Sequence, residues 1–218
     1  MRWMLLLVCT LTTGWTEIID RIAVTVGTSV ITESEVMREV RLTAFLNGEP
    51  PNFTPESKRK TAERMVEQRL LLNEFETSRY PVPGPEAVDE MMQNLRSEQF
   101  RNADQYSNGL KALSLTEDEL KAHFLRQIIT LRFIEFRFRP GVQVTDVEIE
   151  TYFRTKLLPE LKKARPNSEF SLDEYREQAE EALIDERIDR EADQWLKASK
   201  ARTRIVFRPE LFRAGPTG

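Results

Sequence analysis

Residues 20–35 read Asp20-Arg21-Ile22-Ala23-Val24-Thr25-Val26-Gly27-Thr28-Ser29-Val30-Ile31-Thr32-Glu33-Ser34-Glu35, and this stretch decides the architecture. Ile22, Val24 and Val26 alternate with Arg21, Ala23 and Thr25, which is the period of a half-buried strand. Gly27-Thr28-Ser29 supplies a turn, and Val30-Ile31 begins a return strand. Thr32 and Glu35 then form Thr-x-x-Glu, a capping box in which two side chains satisfy free backbone amides at a helix start. The pattern predicts a hairpin over 18–31 that feeds directly into a helix. Val36, Val40, Ala44 and Phe45 recur at helical spacing on the apolar face of that helix, and Asn47-Gly48-Glu49-Pro50-Pro51 ends it.

Outward from this start the chain reads as successive amphipathic helices. A second begins near Pro55 and carries Ala62, Met65, Val66, Leu70, Leu72 and Phe75, with Arg69 set among them. Tyr80-Pro81-Val82-Pro83-Gly84-Pro85 cannot continue it, because proline lacks an amide donor and fixes φ. Val88, Met91, Met92 and Leu95 mark a third helix, and 103–113 a short fourth around Tyr106 and Leu110. Thr116 with Glu119 caps a long helix through Leu120, Phe124, Ile128, Leu131, Ile134 and Phe138, stopped by Pro140-Gly141. Thr145 with Glu148 caps another, bearing Val147, Ile149, Tyr152 and Phe153, with a kink or break expected at Leu158-Pro159. After a turn at 164–168, Ser171 with Glu174 opens a last helix of about 28 residues, roughly 42 Å at 1.5 Å per residue. Thr203 to Phe207 reads as a strand. Pairing it with the opening hairpin would cover the exposed strand edges. The expected fold class is therefore mostly α, with a small antiparallel sheet formed by the N-terminal hairpin and the C-terminal strand.

Composition narrows the function. The sequence has 218 residues, 31% charged and 40% hydrophobic, with a net charge of −4. That balance suits a globular helical chain and gives no concentrated basic face for nucleic acid. Arg2 followed by Trp3 to Leu11 resembles the n- and h-regions of an export signal, and residues 1–16 are read as a cleaved signal peptide. An uncleaved anchor and lipidation at Cys9 are the alternatives. The only cysteine lies in this leader, so the mature chain would contain no disulfide. The domain is placed at 17–208, and 209–218 is expected to be a flexible tail.

The ordered motifs resemble the SurA-type periplasmic chaperones and their foldase relatives. The resemblance rests on residues 20–35, then on Met65-Val66-Glu67-Gln68-Arg69-Leu70-Leu71-Leu72-Asn73-Glu74, and on Leu115-Thr116-Glu117-Asp118-Glu119-Leu120 with Gln127-Ile128-Ile129. It is sharpest at Val144-Thr145-Asp146-Val147-Glu148-Ile149-Glu150-Thr151-Tyr152-Phe153. The resemblance implies that the final helix and strand fold back on the N-terminal part. In that family, parvulin-type prolyl isomerase domains usually lie between the Thr-Asp-x-Glu helix and the closing helix. Here only residues 157–170 stand between Lys156 and Ser171, whereas such a domain needs on the order of a hundred residues. The resemblance thus implies the chaperone core without the isomerase, and no catalytic residue is carried over.

The reactive side chains point the same way. His123 is the one histidine, and it has no cysteine or second histidine beside it in sequence. A partly buried or surface histidine is the expected reading, with no catalytic, metal or cofactor site. Glycines number 8, and none form a phosphate-binding loop. The candidate client-binding residues are Met91 and Met92, whose soft side chains adapt to varied partners, and Phe133, Phe136 and Phe138, interleaved with arginines. The expected function is an exported holdase-type chaperone for unfolded envelope proteins. The resemblance makes outer-membrane β-barrel precursors its expected partners, with no nucleic acid and no small-molecule substrate; a homodimer is left open. A scaffold subunit docking on one envelope partner, and a prolyl isomerase, are the alternatives.

Overall fold

The computed structural model describes residues 20–78 and 80–213; the leader expected at 1–16 lies outside them. Strand β1 (Ile22–Val26) pairs antiparallel with β2 (Ser29–Thr32) across a turn at Gly27-Thr28. Gly27 has φ +60°, whereas Thr28 is not among the residues of positive φ, the pattern of a type II′ hairpin turn. The register shifts between Ile22 and Val24. This bulge breaks the simple alternation expected from the sequence. Ala23, Val24 and Val26 are buried, while Ile22 turns outward and is 40% exposed.

Thr32 then caps α1 (Glu33–Asn47). Its hydroxyl accepts from the Glu35 amide, and the Glu35 carboxylate accepts from the Thr32 amide. The same reciprocal box forms at Thr116 and at Thr145, while Ser171 accepts from the Glu174 amide. These four sites open α1, α5 (Glu117–Phe138), α6 (Asp146–Tyr152) and α8 (Leu172–Arg202). Between α1 and α5 lie α2 (Pro55–Thr77), α3 (Pro85–Gln99) and α4 (Ala103–Ala112). The break expected at Leu158-Pro159 takes the form of a π-helical turn over Phe153–Leu157, which joins α6 to α7 (Leu158–Ala164). Pro159 offers no amide to the preceding turn, and the wider helical spacing before it accommodates its ring.

Strand β3 (Ile205–Phe207) closes the sheet on the other edge of β1, with Val24 opposite Phe207 and Val26 opposite Ile205. The order β2-β1-β3 places the opening strand at the centre and joins both ends of the described chain. The fold is therefore mostly helical with one small antiparallel sheet. The chain after β3 is not a free tail at its start. Pro209–Leu211 forms a 3-10 turn, and Leu211 is buried against the sheet core beside Ala62 and Val66 of α2. The aliphatic side chain of Leu211 completes an apolar layer that would otherwise face water.

The core runs as a series of clusters. The sheet packs on α1 and α2; farther along, the second half of α1 packs with α3, α4 and the first half of α5. Phe133 of α5 then meets Leu71 and Phe75 of α2. Helix α8 lies along α2, α5 and α6, with Ile188 and Ala192 against Phe138, and Ala179 and Leu183 against Ile149 and Phe153.

Candidate functional site

The five residues singled out in the sequence do not form one surface. Phe133 is 0% exposed, Met92 2% and Phe138 9%, so these three are core rather than a binding wall. The cause is that α5 is covered on two sides, by α2 and by α8. Phe133 makes edge contacts with Tyr80, Trp195 and Phe138 at centroid distances of 5.8, 6.0 and 6.4 Å. Met91 is half-buried against the α1–α3–α5 core. Phe136 alone is open to solvent, at 48%, and it stacks on Tyr80 at 5.7 Å. The apolar faces read from spacing also need correction at Leu131 and Val147, which point outward and are 63% and 72% exposed.

The concave apolar surface lies elsewhere, where the C-terminal ends of α1, α3 and α4 meet. A solvent-open cavity of about 490 Å³ is lined there by Ala44, Phe45, Asn47, Gly48, Glu49, Gln99, Phe100, Gln105, Gly109, Ala112 and Leu113. Its floor is aromatic. Phe45 and Phe100 stack at 5.3 Å, and Tyr106 meets both rings edge-on at 6.0 and 5.4 Å. Gly109 permits this approach, because a Cβ at that position would lie 3.1 Å from Phe45 Cε2. Gly48 ends α1 in the left-handed conformation at φ +66°, and its amide bonds back to the carbonyls of Ala44 and Phe45. Among the lining residues, Glu49 is the one that carries a charge. A glycine at mid-helix in α4 is the sequence signal that marks this place, since such a glycine costs helix stability unless close packing requires it.

His123 sits on the other side of α1, in a polar seam between α1, α2 and α5. It is 5% exposed. The Gln127 side-chain amide donates to its Nε2 at 2.9 Å, which leaves the ring proton on Nδ1; that proton is donated to the Glu39 carboxylate at 3.2–3.3 Å. Burial pushes the Glu39 carboxyl up. The His123 hydrogen bond and the charges of Arg126 and Arg64 outweigh it and hold the group below its ordinary value. The Nε2 lone pair is already occupied, so in this arrangement the ring has no nitrogen free to take a proton from a substrate. The pair serves to satisfy buried polar groups where three helices cross.

Among the described residues, no group of three or more His, Cys, Asp or Glu side chains is placed to hold a metal ion, and no helix is long and apolar enough to cross a membrane. Neither a protein-family model nor a curated protein matches this chain, so the geometry of the cavity and its frame carries the functional reading.

Proposed function

We propose that this chain is an exported holdase-type chaperone that binds unfolded envelope polypeptides, outer-membrane β-barrel precursors among them. The observation that carries the reading is the solvent-open apolar cavity with its Phe45–Phe100 floor, held on a helical frame tied at both ends by β1. A volume of about 490 Å³ falls in the range of roughly 300–1,000 Å³ typical of binding sites. It is wide enough for one or two client side chains but not for a folded domain. Binding would consist of reversible burial of client apolar groups, with the rim amides of Asn47 and Gln99 available to an extended backbone. Such binding needs no nucleotide and no covalent step. The export-like leader in the sequence supports a periplasmic location.

The test is aggregation of a denatured β-barrel protein diluted into buffer, followed by light scattering, with the chain lacking residues 1–16. Suppression at near-stoichiometric ratio is the expected result. Unchanged scattering at every ratio would overturn the reading.

A further inference from the structure

We infer that the cavity at the ends of α1, α3 and α4 selects client segments in which an aliphatic or aromatic side chain stands next to a lysine or arginine. This rests on the chaperone reading above and assigns its site a chemical preference. The apolar part follows from the floor: Phe100 and Leu113, both half-buried, offer a surface that gains only from covering by another apolar group, and Phe45 lies buried beneath them where Gly109 lets the rings pack closely.

The basic part follows from charge. Three helices of 15, 15 and 10 residues end at this one place. Each presents the negative end of its dipole there, because the last carbonyls of a helix have no partner within it. In α1 no basic residue in the last turn offsets this. In α3 the guanidinium of Arg96 is held over the Tyr106 ring beneath the cavity and is paired with Glu117 at 2.8 Å, whereas in α4 Lys111 in the last turn offsets that helix's end. Glu49 adds a carboxylate to the wall, and no cationic side chain lines it. A lysine or arginine beside the inserted residue would therefore meet partial negative charge at the mouth, next to the half-buried Phe100 ring. A client glutamate at the same place would be repelled. Each helix end changes ion binding by about two- to fivefold at an exposed site, so the α1 and α3 ends together with Glu49 amount to roughly tenfold or more.

The test uses the chain lacking residues 1–16 and two fluorescent, end-blocked peptides with the same Leu-Phe centre, one flanked by lysines and one by glutamates. Their affinities are read by anisotropy. The lysine peptide is expected to bind at least about tenfold more tightly. Ala112→Trp, at an exposed rim position, should fill the cavity and lower that affinity about tenfold. Glu49→Lys, in the loop after α1, should shrink the preference several-fold, with circular dichroism confirming that both variants keep their helices. Equal affinities for the two peptides, or an unchanged affinity in Ala112→Trp, would overturn the inference. Light scattering separates it from the chaperone reading. If the wild type suppresses aggregation without preferring lysine, the preference falls and the chaperone stands. If the preference and the Ala112→Trp effect appear without suppression, the site stands and the chaperone falls.

Discussion

Phe133 and Phe136 lie three residues apart on α5 and have opposite fates. Phe133 is enclosed by rings from the loop after α2 and from α8, while half of Phe136 faces water. Removing the Phe133 ring should leave a cavity costing about 3–5 kcal/mol. Phe136→Ala should cost only about 1–2 kcal/mol, from one aromatic pair and the half of the ring that is buried. Urea titrations of the two variants check this, and similar losses would contradict the placement. Glu39 gives a second case. Glu39→Ala leaves the His123 Nδ1 proton in a buried place without an acceptor, and should destabilise by about 1–3 kcal/mol. Because the native carboxyl of Glu39 is held below its ordinary 4.5, its contribution is complete above that pH and is lost as pH falls through the lowered native value. The stability gap between wild type and Glu39→Ala should therefore be constant near neutrality and narrow in acid. Neither residue's partner was legible in the sequence. Glu39 and His123 are 84 positions apart, and spacing within one helix says nothing about which face a distant helix will cover.

At the scale of elements, the helix starts were the most legible feature, because a cap is a local chemical event within four residues. Thr32, Thr116, Thr145 and Ser171 each begin the helix their spacing predicts. The box at α6 is also fastened from outside. The Glu148 carboxyl is held down to about 2 by a hydrogen bond from Arg187 of α8, and then by the amide and hydroxyl of Thr145. Thr145→Ala should cost about 1 kcal/mol, as for other lost caps. The Glu148 interactions are present above its ordinary 4.5 and disappear as pH falls toward about 2. Glu148→Gln should thus differ from wild type in thermal midpoint at pH 7 and converge with it near pH 2, as measured by circular dichroism. A gap that persists at pH 2 would mean that packing, not charge, holds α6 to α8. Apolar faces were less legible than caps. Leu131 and Val147 fit a helical stripe, yet they are exposed, because which part of a stripe is buried depends on where neighbours cross it.

For the whole molecule, the return of β3 to β1 was readable because an opening hairpin leaves a strand edge that something must cover. The cavity was not, for it is built from the ends of three helices that finish at residues 47, 99 and 112. No single segment carries that convergence, and only Gly109 hints at it. The sheet ties the two ends of the described chain together, and the α1–α3–α4 corner lies beyond it along α1, open to solvent. The central claim is that this corner is where unfolded polypeptide is held. Site-specific photocrosslinking tests it most directly, with the crosslinker placed at Gln99 on the cavity rim or at Glu177 on the exposed face of α8, and a denatured β-barrel protein as bait. The expected result is a strong adduct from position 99 and little from 177. Equal adducts from the two positions, or none from 99, would contradict the claim.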